Sequence, residues 1–183
     1  MIIYNKRVIK LLLLSGVVLI LGCNKTQEIK KDQDYLFIYS PKEVKSYKQE
    51  YYETVPVIDK LIPVKKDLSI EQKIKLLCKT LSEEYFSGLR IEVKKIDSTI
   101  DGNILHIELL ENEGFDGPKG NESSWYNYFQ GSTGGMCTTI ILEETLLQRN
   151  YKGDWIDAVI FYYEGEGMGG WDHVMLEGEL ARY

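Results

Sequence analysis

Residues 131–135, Gly-Ser-Thr-Gly-Gly, are the segment whose composition most suggests phosphate or acyl chemistry. A phosphate-binding loop requires Gly-x-x-x-x-Gly-Lys before Ser or Thr, and this segment contains no lysine. The dinucleotide spacing Gly-x-Gly-x-x-Gly does not match either. A nucleophile elbow requires glycine two residues before the serine, where Ser132 has Gln130. We therefore expect Ser132 or Thr133 to cap a helix, while the glycines allow close approach to another backbone.

Two histidines are the remaining candidates for catalysis or metal binding. His106 falls on the outward side of an alternating strand pattern, away from the predicted core. His173 follows Asp172 and lies near Glu164 and Glu166, but this spacing matches no ligand pattern, and the intervening glycines argue against a preformed site. We therefore predict no catalytic residue, no metal and no cofactor, and a protein that is not an enzyme.

The N-terminus has the pattern of export and lipidation. Basic residues within 1–10 precede an apolar run of 11 residues, 11–21, whereas a membrane-spanning helix needs roughly 20. This order predicts a cleaved signal peptide over residues 1–22, with an uncleaved signal anchor as the alternative. The motif Ile-Leu-Gly-Cys at 20–23 resembles a bacterial lipobox, which predicts Cys23 as the lipidated first residue of the mature chain.

Charge and length limit the class of partner. Removing residues 1–22 leaves 161 residues and takes away three basic ones, which changes the formal net charge from −6 to −9. An acidic domain gains no attraction from anionic lipids, so acyl chains such as palmitate on Cys23 must hold it at the extracytoplasmic face of the cell membrane. The sequence offers no basic patch to neutralise phosphates, so we expect no nucleic-acid partner.

One domain follows the anchor. Residues 23–34 are expected to form the lipidated cysteine and a flexible tether, because they are polar and lack periodicity. Residues 35–183 suit a single domain. Cys78 and Cys137 fall inside helical patterns, where two buried thiols or a mutual disulfide both fit an extracytoplasmic domain.

The first half of the domain alternates strands with one helix. Residues 35–39 and 51–58 are predicted strands separated by a loop over 42–50, and Pro56 restricts the second to a sheet edge. Ser69 is the expected N-cap of a helix whose solvent face includes Lys73, and Gly88 ends that helix. A hairpin of residues 89–97 and 104–110 follows, with Leu105, Ile107 and Leu109 facing inward and His106 and Glu108 on a solvent-exposed face.

The second half is more apolar. A long loop, 111–124, leads to a helical turn and then to a helix over 135–150 that is apolar around most of its circumference. Residues 155–163 form a predicted strand that is apolar on both faces. A last strand within residues 174–180, or a partner protein, is the expected cover for its outer face. The strand and the aromatic lead-in supply our predicted interaction surface, which comprises Trp155, Val159, Phe161, Tyr163, Trp125, Tyr126 and Tyr128.

The chain resembles the GerMN domain of sporulation and germination proteins in Firmicutes. The resemblance covers residues 35–165 and is carried by the first helix, the Leu-Arg-Ile-Glu-Val hairpin strand at 89–93, the glycine-rich segment, Thr-Leu-Leu-Gln at 145–148 and the strand that starts at Trp155. The long loop 111–124 and the tail after Gly165 depart from it. The resemblance implies an α+β fold with two helices packed on one face of a small mixed sheet, similar to ring-building modules.

The resemblance implies an assembly function and no catalytic residues. We therefore expect a membrane-anchored lipoprotein that acts as a non-enzymatic protein-interaction module in sporulation or germination, through self-association or through envelope proteins. The alternative is a lipoprotein that binds a small molecule or a cell-wall fragment in a pocket lined by Trp125, Tyr126 and Tyr128.

Overall fold

The computed structural model describes residues 33–47, 51–117 and 123–183. The protein is α+β with a mixed sheet. Among the described residues, no helix is both long enough and apolar enough to cross a bilayer. The elements in chain order are β1 (Gln33–Lys45), β2 (Tyr52–Lys65), α1 (Ile70–Tyr85), β3 (Arg90–Thr99), β4 (Gly102–Leu110), α2 (Trp125–Tyr128), α3 (Ser132–Leu147), β5 (Ala158–Tyr163), β6 (Glu166–Gly167) and β7 (Glu179–Ala181).

The first strand begins slightly before residue 35, the predicted start of the domain. The signal peptide, Cys23 and tether residues up to 32 lie outside the described residues. β1 begins at Gln33, two residues before the predicted start of the domain. Asp34 belongs to the packed structure, because its carboxylate accepts a hydrogen bond from Tyr151 Oη at 2.9 Å.

Five strands form the larger sheet. β3 and β4 are an antiparallel hairpin, β4 and β5 are parallel, and β6 and β7 pair antiparallel with β5. The parallel pair needs a long crossover, and α2 and α3 lie within it. α1 contacts β3, and α3 contacts both α1 and β5. The side chains predicted to face the core, Leu105, Ile107 and Leu109, are fully buried.

β1 and β2 form a separate two-stranded antiparallel sheet that is longer than predicted. The strands extend to Lys45 and Lys65, so residues 42–45 are strand rather than loop. Pro41 lies opposite Pro56 in the register. Proline does not end either strand, because both strands of a two-stranded sheet are edges and a missing N–H can face solvent.

The other edge of β1 is held by side chains at the end of α3. The Gln148 amide accepts a hydrogen bond from the Phe37 N–H at 2.9 Å and donates one to the Phe37 carbonyl at 2.5 Å. The Thr145 hydroxyl accepts from the Tyr39 N–H at 3.0 Å. These bonds satisfy backbone groups that a third strand would otherwise pair, and they fix the hairpin against α3.

α1 begins at its predicted cap. The Ser69 hydroxyl accepts from the Gln72 N–H, and the Gln72 side chain accepts from the Ser69 N–H. Lys73, predicted to face solvent, is buried instead, and its Nζ donates to Tyr151 Oη at 2.8 Å. The segment after α3 covers this side of α1, which periodicity within the helix cannot reveal.

α3 has a different cap from the one predicted. It begins at Ser132, and Gly131 is the N-cap with φ of +71° and no side-chain cap bond. The predicted close approach is confirmed, because a Cβ atom on Gly135 would lie 2.7 Å from the His173 carbonyl oxygen. Met175 N also donates to Thr139 Oγ1 at 3.0 Å. The segment around these two residues therefore packs against the first half of α3.

Replacing Gly135 with alanine tests this close approach. The clash is with backbone atoms, so we expect a packing cost of about 1–3 kcal/mol, partly offset by a helix-propensity gain of up to ~1 kcal/mol. Gly134→Ala is the matched control, since its Cβ would meet Tyr128 O at an ordinary 3.5 Å. Urea unfolding followed by tryptophan fluorescence should show Gly134→Ala more stable than Gly135→Ala. Equal stabilities would contradict the close-packing role.

β5 lies inside the sheet and is shorter than predicted. Trp155 and Ile156 precede it and are buried in the core, with Trp155 Nε1 donating to the Leu146 carbonyl at 2.7 Å. The last strand is β7, which pairs along the edge of β5, and Val174 and Leu176 before it are buried in the core. Two of the apolar residues that suggested an external partner, Trp155 and Ile156, therefore lie before the strand and pack in the core.

Candidate functional site

Most of the predicted interaction surface is core. Trp125 and Val159 are 0% exposed, Phe161 is 1% exposed and Trp155 is 5% exposed. The helices cover this face of β5, so these four side chains are not available to a partner. Tyr126, Tyr128 and Tyr163 are half-buried and remain partly accessible.

The aromatic residues predicted to line a ligand pocket pack against one another and against their neighbours. Phe129 lies between the rings of Trp125, Tyr163 and Trp171, with centroids 4.9–5.9 Å away. Phe86 contacts Trp125 at 4.7 Å on the other side. Tilted and edge-to-face contacts at these distances are stabilising packing. Trp125, one of the three residues predicted to line a pocket, is therefore buried within this cluster.

Glu111 organises this aromatic cluster. Its side chain is buried and accepts from the backbone N–H groups of Trp125 at 3.0 Å and Tyr126 at 2.9 Å, and from Tyr163 Oη at 3.0 Å. Burial and this carboxylate raise the pKa of Tyr163 well above its usual range. This role could not be predicted from the sequence, because a glutamate at the start of a polar loop is usually exposed to solvent.

Asp97, His106 and Tyr162 form a hydrogen-bonded row on the outer face of the larger sheet. His106 Nε2 lies 3.2 Å from Asp97 Oδ2, and His106 Nδ1 lies 3.0 Å from Tyr162 Oη. The imidazole also stacks on the Tyr162 ring with centroids 5.8 Å apart. Both ring nitrogens therefore have a hydrogen-bonding partner within the fold.

The solvent-exposed face predicted for β4 is wrong at two positions. His106 is 7% exposed and Glu108 is 6% exposed. Lys94 pairs with Glu108 and places its Nζ 4.3 Å from the centre of the Tyr162 ring. Glu108 Oε1 accepts from the Gly165 N–H at 2.6 Å. β4 lies between β3 and β5, so long side chains from both neighbours cover it. The alternation of residues along β4 cannot predict this cover.

Stability should fall between pH 7.5 and 5 because of His106. Burial lowers its pKa, the charges of Lys95 and Lys94 lower it further, and Asp97 opposes the shift. The folded state therefore binds the proton less readily than the unfolded chain, so stability is lost as pH falls from about 6.5 through the lower folded pKa. When the pH is lowered over this range, the urea midpoint of His106→Gln should fall less than that of the wild type. Equal slopes in the wild type and in His106→Gln would contradict this assignment.

Cys78 and Cys137 are free thiols, so the disulfide alternative is wrong. Burial raises the pKa of Cys78 to about 12, which leaves it protonated and weakly nucleophilic. Within the part of the chain that the structure describes, no group of three or more His, Cys, Asp or Glu residues is arranged to hold a metal ion.

An open groove of about 440 Å³ lies between α1 and β3. Lys75, Cys78 and Lys79 line it from the helix, and Ile91 and Val93 from the strand, with Arg90 and Glu92 beside them. β3 is the end strand of its sheet. The groove therefore places the edge strand of the sheet beside two lysines of α1. It could not be predicted from the sequence, because it forms only when the helix packs beside the strand.

Comparisons of the chain with protein-family models, with curated proteins and with solved structures gave no match. Its function must therefore be inferred from the residues and their geometry.

Proposed function

We propose that the chain is a lipoprotein anchored through Cys23 at the extracytoplasmic face of the membrane, where it acts as a non-enzymatic protein-interaction module. The motif Ile-Leu-Gly-Cys after a short apolar run is the single observation that carries the anchor. Two acyl chains on such a cysteine suffice for stable attachment. The domain then contributes recognition, and the membrane contributes location.

The positions of the reactive side chains support recognition over catalysis. Glu111 holds α2, His106 bridges Asp97 and Tyr162, and Lys73 hydrogen-bonds Tyr151. Each of these groups is committed to the fold. A GerMN-type role in sporulation or germination belongs to the same proposal. The segments that carry the resemblance form α1, the β3–β4 hairpin, α3 and β5. This correspondence supports the role.

Fractionation of bacteria that express the full chain tests the anchor. The wild type should sediment with membranes and incorporate an alkyne-labelled fatty acid. Cys23→Ser should not incorporate the label, because it lacks the thiol that carries the lipid. This result is expected whether or not the signal peptide is cleaved. Cys137→Ser is the matched control, because it removes a cysteine elsewhere, and it should behave as wild type. Label that persists in Cys23→Ser would refute the proposal.

A further inference from the structure

We propose that the groove between α1 and β3 binds an extended, acidic segment of a partner protein, which pairs with β3 as an additional strand. This inference rests on the proposed function, since it identifies the recognition surface of the interaction module. An added strand obtains affinity from main-chain hydrogen bonds and specificity from alternate side chains.

The described strand edges differ in how open they are. β1 is occupied at Phe37 and Tyr39 by the side chains of Gln148 and Thr145. β2 contains Pro56 and Pro63, and proline protects an edge against further pairing. β6 and β7 have two and three residues, too short for a stable addition. β3 is the described edge that is both long and free of proline.

Only the first part of β3 is suited to a regular ladder. The register of β3 with β4 shifts between Val93 and Lys95, which marks a β-bulge. Bulges bend a strand and interrupt regular pairing. Residues 90–93 precede the bulge, and these four residues line the groove. The groove therefore coincides with the regular part of the open edge.

The charges around the groove favour an acidic occupant. Its lining includes the basic Lys75, Lys79 and Arg90 against the single acidic Glu92, although the chain has a formal net charge of −6. Lys75 and Lys79 pair with glutamates of α1, and Arg90 pairs with Glu92, but all these side chains are about half exposed or more. Exposed pairs contribute about 0–1 kcal/mol, so an incoming carboxylate can compete for the cations.

The floor of the groove accepts small apolar side chains. Ile91 and Cys78 are buried beneath it, and Val93 is half-buried beside them. Successive side chains of an added strand point to opposite faces of the sheet. A segment that alternates valine with glutamate would therefore place valine on one face of the extended sheet and glutamate on the other.

Fluorescence anisotropy with the full chain in detergent micelles tests the proposal. The probe is a dye-labelled peptide of alternating Val and Glu, compared with one in which Lys replaces Glu and one in which Pro replaces Val. The Glu peptide should bind about ten-fold tighter than the Lys peptide, whose charge is unfavourable. It should also bind about ten-fold tighter than the Pro peptide, which cannot form the strand pairing. The double variant Lys75→Glu/Lys79→Glu should weaken it about ten-fold. The matched control Lys42→Glu/Lys45→Glu, on β1, should not.

Amide chemical shifts locate the binding. Shifts on addition of the Glu peptide should centre on residues 90–93 and the facing side of α1. Equal affinity for all three peptides, or shifts confined to other elements, would overturn the proposal. So would sedimentation data showing that a second copy of the chain occupies the same edge. None of these outcomes depends on Cys23, so failure here is distinguishable from failure of the lipid anchor.

Discussion

Replacing Glu111 with alanine is expected to destabilise the domain by about 3 kcal/mol, because several buried donors lose their acceptor at once. The carboxylate accepts from two backbone N–H groups at the start of α2 and from Tyr163 Oη. The space left by the side chain adds a packing loss beneath the aromatic cluster. Urea unfolding of residues 23–183 carrying Cys23→Ser, followed by tryptophan fluorescence, measures this free energy.

Two further substitutions separate the hydrogen bonds from other effects of Glu111. Glu111→Gln preserves the size of the side chain but turns one acceptor into a donor, so it should retain part of the lost stability. Glu113→Ala removes an exposed glutamate from the same loop and should change stability by no more than about 0.5 kcal/mol. If Glu111→Ala is as mild as Glu113→Ala, the carboxylate does not organise the cluster.

Replacing Gln148 with alanine is expected to cost about 3 kcal/mol as well, since it removes the amide that serves both polar groups of Phe37. Gln148 is fully buried and also donates to the Thr145 carbonyl at 2.6 Å. Loss of these bonds should loosen β1 from α3. Hydrogen exchange should therefore accelerate at the amides of Phe37 and Tyr39 more than at those of β4.

The backbone of Gln148 provides an internal control. It adopts φ of +48°, a conformation that favours glycine over alanine. Gln148→Gly relieves that strain and still removes the amide, so it should recover at most about 1 kcal/mol relative to alanine. A Gln148→Gly chain as stable as the wild type would show that the backbone, and not the amide, accounts for the loss.

Local signals in the sequence were sufficient for several elements. The Ser69 cap, the inward face of β4 and the close approach at Gly135 depend on residues adjacent in the chain or on one backbone position, and each prediction is confirmed. The α+β class, which the resemblance implied, is also confirmed. The extent of β1 and β2 was harder to predict, because proline and charged residues are tolerated in a two-stranded sheet.

Burial that comes from distant elements could not be predicted. Lys73 is covered by Tyr151, and His106 is covered by Tyr162, in each case more than 50 residues away. Trp155 and Phe161 were assigned to an interaction surface because nothing local indicated which side α3 would cover. The groove between α1 and β3 could not be predicted for the same reason, since its shape arises only when the helix packs beside the strand.

The identity of the N-terminus of the mature chain tests the central claim, attachment to the membrane through Cys23, most directly. Mass spectrometry of the chain purified from bacterial membranes supplies it. We predict an N-terminal peptide that begins at Cys23 and carries diacylglycerol on its sulfur. A chain that begins at Met1, or a peptide containing Cys23 without lipid, would contradict the proposal.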